Sequence, residues 1–226
     1  MSYKKSVVKK PWGHEYLAYE NEDVGLWFLH IEKDQQTSMH CHPKKTTGLV
    51  LLNGEAEVSF LADKRKIKSL DKVMIRRGLF HSTKALSDGG AFIFEIETPK
   101  DKHDLVRLND AYGRASKPYE GKSFESSKSA ECLWIEEPSE NESIIYNFAG
   151  CKLLVEKITS IEDINNKKDT DMIMFLKGGL IRNTDDNKHL VTIPGDVGYG
   201  KIIKKVSLEL DGIHPDTLTL TITKNE

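Results

Sequence analysis

The amino-acid sequence predicts an all-β protein, folded as a barrel or a sandwich. Three observations predict it. Helical periodicity is scarce along the 226 residues. The apolar runs are short, rich in β-forming residues and bounded by turn signals. Between two such runs stands Asn53-Gly54, a strong hairpin signal, because both residue types tolerate the positive φ that a two-residue hairpin turn requires.

Along the chain, Gly25 to Ile31 reads as a buried strand and Leu49 to Leu52 as a second. The return strand from Glu55 to Leu61 alternates, with Ala56, Val58 and Phe60 on one face. Val73 to Ile75 and Ala91 to Ile96 add two more. The stretch from Ser116 to Ser129 is rich in Ser, Lys and Glu, contains Pro118 and Gly121, and reads as a linker. Beyond it the strand candidates are Lys152 to Ile158, Asp171 to Leu176, Lys188 to Ile193 and Lys201 to Leu210. A last one, Asp216 to Lys224, sets Leu218, Leu220 and Ile222 opposite Thr217, Thr219 and Thr221. Ile161 to Lys168 is polar enough for a loop or a short helix.

The two halves echo each other. In the first, an apolar strand meets Asn53-Gly54, and Ile75-Arg76-Arg77-Gly78 follows. In the second, Met172 to Leu176 meets Lys177-Gly178-Gly179, and Ile193-Pro194-Gly195-Asp196 follows. This suggests two related barrels. The expected organisation is a domain over residues 1–115, a linker over 116–129 and a second β domain over 130–226.

Charge narrows the partners. The 33 Lys and Arg nearly balance the 35 Asp and Glu, so no basic surplus points to nucleic acid and no charge block points to a membrane surface. No run approaches the roughly 18 apolar residues of a spanning helix, and no apolar signal core follows Met1-Ser2-Tyr3-Lys4-Lys5. A cytoplasmic location is expected. The three cysteines, Cys41, Cys132 and Cys151, are a poor disulfide framework and fit a reducing compartment.

The sharpest local feature is His40-Cys41-His42. Residues two apart on a strand share a face, so both imidazoles can reach one metal ion while Cys41 points away. His81, which follows the turn-like Arg77-Gly78, is the best third ligand. The competing reading is a pair of hydrogen-bonded histidines on an edge strand. His14, His30 and His103 read as packed or surface residues, and Lys100 to Asp104 as a solvated loop.

These residues fall in register with the motifs of the cupins, which carry HxH, a Glu, then a hairpin Gly, and further on PxGxxH. Here His40 and His42 are followed by four residues, Thr47, six residues and Gly54, and the second motif resembles Arg76-Arg77-Gly78-Leu79-Phe80-His81. Within that superfamily the chain resembles the cupin domain of type II mannose-6-phosphate isomerases, the part fused to mannose-1-phosphate guanylyltransferase. Lys10-Pro11-Trp12-Gly13 resembles its RPWG opening, and Ser38 to Gly54 aligns without gaps to its metal-binding hairpin. Glu95-Ile96-Glu97 resembles its IEVQ strand. Asp104 to Arg107, with Asp110 to Arg114, resembles its DDIVRxxDxYGR ending. The resemblance covers residues 10–114. It departs at Thr47, where the family has a metal-ligand Glu, and at Arg76, where it has Pro.

The resemblance implies a cupin double-stranded β-helix, a jelly-roll barrel. The echo extends this to a bicupin whose second half, with only His189 and His214 and no HxH, has lost its metal. The implied cofactor is a divalent transition metal (Zn, Fe, Mn or Ni), held by His40, His42 and His81. The implied partner is a small molecule, a phosphorylated or nucleotide-linked sugar of surface-polysaccharide metabolism, and a homodimer is expected on family grounds. Lys44, Lys45, Arg76 and Arg77 would form a basic rim that binds substrate, Glu95 would serve as acid/base, and Arg107 or Arg114 would hold phosphate or balance developing charge. Two other functions compete. A three-His iron site resembles those of dioxygenases, and a non-catalytic sugar-binding module would use the same barrel without turnover.

Overall fold

The computed structural model describes residues 5–114, 124–126, 132–184 and 187–225, with backbone alone at 124–126. The chain divides into two compact units, Met1–Ile135 and Glu136–Glu226. In the first unit the strands are β1 (Ser6–Lys10), β2 (Gly13–Glu20), β3 (Gly25–Ile31), β4 (Met39–Cys41), β5 (Thr46–Asn53) and β6 (Glu55–Phe60). They are followed by β7 (Lys64–Lys68), β8 (Lys72–Ile75), β9 (His81–Ala85), β10 (Ala91–Thr98), β11 (Val106–Asn109) and β12 (Phe124–Ser126). The order in one sheet is β12-β1-β2-β3-β10-β5-β8 and in the other β11-β4-β9-β6-β7, with antiparallel pairing between neighbours. This is the jelly-roll arrangement of the cupin fold.

The core lies between the two sheets and includes Leu29, Ile31, Leu49, Leu51, Val58, Ile67, Val73 and Ile93. Each such side chain contributes about 1.5–3 kcal/mol by leaving water. Alternation on β5 sends Thr47 to the same side as Leu49 and Leu51. The turn expected to close a hairpin at Asn53-Gly54 instead carries the chain from one sheet to the other, since β5 pairs with β10 and β8 and β6 with β9 and β7. There Gly54 has φ +89°, and a Cβ would stand 2.3 Å from the Gly90 carbonyl oxygen. Both the turn and the close approach demand glycine.

Within the expected linker, residues 124–126 form β12, which pairs with β1; its remaining residues lie outside those described. Leu133 to Ile135 also belong to the first unit, where the Ile135 amide donates to the Ala18 carbonyl at 2.9 Å.

The second unit contains β13 (Ser143–Phe148), β14 (Cys151–Lys157), α1 (Ile161–Asn165), β15 (Met172–Lys177), β16 (Leu180–Asn183), β17 (Lys188–Leu190), β18 (Val197–Tyr199), α2 (Gly200–Ser207), β19 (Gly212–Ile213) and β20 (Leu218–Lys224). Its sheets run β13-β14-β20-β15-β18 and β17-β16-β19. The first repeats the order β2-β3-β10-β5-β8, and the second repeats β7-β6-β9. Backbone bonds repeat too. Leu51 exchanges bonds with Leu70 and Asp71, and Phe175 does so with Gly195 and Asp196. Two stretches differ. Where the first unit places β4, the second places α1; where the first has the Arg76–Phe80 turn, the second has α2.

Lys201 to Leu210, expected as a strand, forms most of α2 instead. Ile203, Val206 and Leu210 recur at helical spacing and meet Ile164 of α1, with Ile173, Phe175 and Leu180, in one apolar cluster. Helix α1 is fixed at its start by a capping box between Ser160 and Asp163.

Candidate metal centre

Strand register builds the centre. On the face of the β11-β4-β9 sheet, His40 is directly opposite Arg107 on one side and His81 on the other. Residues opposite each other in neighbouring strands share a face, so all three side chains point the same way. His42 lies just beyond the end of β4, and its carbonyl accepts the Gly78 amide at 2.8 Å, which ties it to the turn that leads to His81. Gly78 makes that turn with φ +73°. The ligand nitrogens of His40, His42 and His81 all lie within 4.8 Å of one another.

Each imidazole is held the same way. Nδ1 of His40 meets the Ser38 carbonyl at 2.7 Å, Nδ1 of His42 the Asp104 carbonyl at 2.7 Å, and Nδ1 of His81 the Leu79 carbonyl at 3.0 Å. A carbonyl oxygen only accepts, so Nδ1 carries the proton in all three and Nε2 keeps its lone pair. Nε2 of His42 is buried with no hydrogen-bond partner. Burial, followed by the neighbouring imidazoles, holds His40 well below the usual histidine range. Burial pushes His42 down to about 2 and His81 to about 4. The donor set is thus three neutral imidazoles, each with an unprotonated Nε2, the state in which histidine binds a transition metal. The residues fit a divalent transition ion.

At the position of the missing carboxylate, Thr47 is buried, and its Oγ1 has no hydrogen-bond partner. A carboxylate stands on the neighbouring strand instead. Glu95 on β10 is buried, lines the same pocket, and has Oε1 4.0 Å from Nε2 of His42. Burial raises its carboxyl to about 7, against the opposing pull of Lys102.

The pocket is an open cleft that spans about 460 Å³ including its mouth. Its wall carries an alternating chain of charges: Lys10 to Glu15 at 3.7 Å, Glu15 to Lys102 at 3.3 Å, Lys102 to Glu97 at 3.6 Å, and Glu97 to Lys45 at 2.6 Å. Lys102 also sits 3.7 Å above the Trp27 ring.

Of the four residues expected as a basic rim, Lys45 alone lines the pocket. Lys44, Arg76 and Arg77 are exposed and do not line this pocket. Lys45 lines it from inside, only 1% exposed, because Asp104 holds its amide and Glu97 its ammonium. Arg107 and Arg114 both line the pocket, and Arg114 is tied to Asp110 at 2.7 Å. The segment expected as a solvated loop, Lys100 to Asp104, sends Lys102 into the pocket and buries Asp104. Its alternation is too short to read as strand or helix, so the sequence carried no sign of this. Glu97 was legible, since it is two residues from Glu95 on the same strand. His14 and His30 pack edge to face at 5.3 Å, and His103 and His189 are exposed. Among the described residues, His40, His42 and His81 are the one group of metal-binding geometry, and no helix is long and apolar enough to cross a membrane.

No family model and no curated protein matches the chain. Several solved structures are similar in part. KdgF from Halomonas sp. shares 14% identity over 42% of this chain and 88% of its own, with TM-score 0.40. The capsular polysaccharide assembling protein CapF from Staphylococcus aureus shares 16% identity over 46% of this chain and 34% of its own, with TM-score 0.42. A putative sugar phosphate isomerase from Acidithiobacillus ferrooxidans shares 20% identity over 35% of this chain and 52% of its own, with TM-score 0.33.

Proposed function

We propose that the first unit is a metal-dependent isomerase or epimerase acting on a phosphorylated or nucleotide-linked sugar. One observation carries the reading: a buried carboxylate, Glu95, faces the pocket 4.0 Å from the unpartnered Nε2 of a three-histidine group. Isomerisation of a sugar needs a base beside an acidified C–H and positive charge near the oxygen that becomes an enolate. Glu95 removes the proton on the carbon next to the carbonyl. In isomerisation it returns that proton to the former carbonyl carbon while the neighbouring hydroxyl proton passes to the carbonyl oxygen; in epimerisation the same carbon is reprotonated on its other face by a second proton donor, such as water. His40, His42 and His81 would hold a divalent ion, which supplies Lewis acidity when bound. Lys102 and Arg107 hold anionic parts of the substrate against the pocket wall. Trp12 and Leu29 line the pocket's apolar side.

The test uses the purified protein in deuterated water, loaded in turn with Zn, Mn, Fe or Ni. Proton NMR then follows deuterium uptake into a panel of hexose phosphates, heptose phosphates and nucleotide sugars. Uptake at the carbon next to the carbonyl, abolished in Glu95→Gln, supports the reading. No exchange with any substrate under any metal overturns it.

A further inference from the structure

In the segment between β10 and β11, Asp104 makes two kinds of bond to the metal-binding stretch of residues 40–45. Its carboxylate oxygen Oδ2 accepts the amides of Lys44 at 2.8 Å and Lys45 at 3.0 Å. Its backbone carbonyl accepts the proton on Nδ1 of His42 at 2.7 Å. The segment is braced further where the Lys45 ammonium donates to the Asp101 carbonyl at 3.1 Å. Asp104 is 7% exposed, so water competes little for these bonds.

The arrangement is a clamp. The carboxylate fixes where the backbone of Asp104 lies relative to residues 44 and 45. That position fixes where its carbonyl points, and the carbonyl decides which nitrogen of His42 carries the proton. The other two histidines are held differently. His40 and His81 bond to carbonyls two residues away in their own strand segments, whereas His42 depends on a residue 62 positions distant. Of the three, His42 is therefore the one whose lone pair is set by tertiary structure.

We propose that Asp104 is the positioning residue that makes His42 a metal ligand, an inference that rests on the metal-centre reading above. A partner of this kind, one step removed from the ion, typically changes metal affinity on the order of 10–100-fold when lost.

Two readings on the full chain test it: the imidazole tautomers of the metal-free protein by ¹⁵N–¹H NMR, and the affinity for Zn(II) by chelator competition. Wild type is expected to show His42 in the Nδ1–H tautomer alone. In Asp104→Ala, His42 becomes a tautomer mixture and Zn(II) affinity falls on the order of 10–100-fold, while His81, tied to Leu79, keeps its tautomer. A loss of structure would move both histidines, so His81 separates positioning from unfolding. Asp104→Asn, whose amide oxygen still accepts, restores most of both readings. If Asp104→Ala does not fold, Asp104→Glu replaces it: the longer side chain must displace either the carboxylate or the carbonyl, and the same two readings move.

A folded Asp104→Ala, or the Asp104→Glu that replaces it, that keeps the wild-type His42 tautomer overturns the proposal, whatever its metal affinity. A wild type that binds no Zn(II), but whose His42 tautomer still depends on Asp104, overturns the metal centre and leaves the clamp standing.

Discussion

Replacing Lys45 by Met breaks the most buried ion pair in the molecule's pocket. Lys45 and Glu97 meet at 2.6 Å with both side chains 1% exposed. Removing one partner of such a pair costs about 3–5 kcal/mol, because the other charge is left without compensation in a low-dielectric setting. Lys102 remains 3.6 Å from Glu97 and offsets part of this, which favours the lower end, about 3 kcal/mol. For a unit of this size that corresponds to a fall in melting temperature of roughly 10 °C. Intrinsic tryptophan fluorescence is the right probe, since Trp12, Trp27 and Trp134 all lie in the first unit. The double variant Lys45→Met/Glu97→Met removes both charges, leaves Lys102 paired with Glu15 at 3.3 Å, and is expected to recover most of the loss. A fall of less than about 2 °C in the single variant, or a double variant no more stable than the single, would refute the reasoning.

Elemental analysis of the purified chain is expected to find close to one divalent transition ion, absent in His42→Ala, with the second unit contributing none. Glu95→Gln is expected to retain that ion and to lose deuterium exchange; the same assay with unchanged exchange removes Glu95 from the reaction. The capping-box carboxyl of Asp163 is raised by burial but lowered further by the amides of Thr159 and Ser160 and the Ser160 hydroxyl, so its net shift is downward. A depressed carboxyl stabilises the fold above its unfolded value near 3.9 and loses that contribution as pH falls through its folded value. Asp163→Asn is expected to cost about 1 kcal/mol at pH 7 and to differ little from wild type near pH 2, measured by urea denaturation.

The strands on either side of Asn53-Gly54 were legible from local apolar runs and a turn signal, but the hairpin they suggested is not formed: the turn passes between sheets, and which partners a strand takes is a non-local choice. The pairing of His40 with His81 was legible as a spacing, although only the register shows why the two rings face each other. Strands β1, β2 and β7 were among those not foreseen. The third, Lys64-Arg65-Lys66-Ile67-Lys68, is an edge strand with one buried residue, and its charge hides its period. Helix α2 was misread because Lys201 to Leu210 offers apolar residues at both two-residue and helical spacings. In the pocket, Lys10, Glu15 and Lys102 come from three separate segments and are joined only by the fold, so no motif could announce them. The isolation of Arg76 and Arg77 from the pocket likewise depends on the direction of a turn, which adjacency in sequence does not specify.

The second unit shows how one strand order can be kept while the segments that carry the candidate ligands in the first unit are replaced. In the strand order shared by both units, α1 takes the place of the strand that carries His40, and α2 takes the place of the turn before His81. The helices bring Ile164 and Ile203 into an apolar cluster with Phe175. Restoring the His40 and His42 pair there by point substitution would place it on a helix, where two residues apart means nearly opposite directions. A graft of function onto the second unit therefore has to exchange whole segments, and the chain carries the donor for that exchange in its own first half.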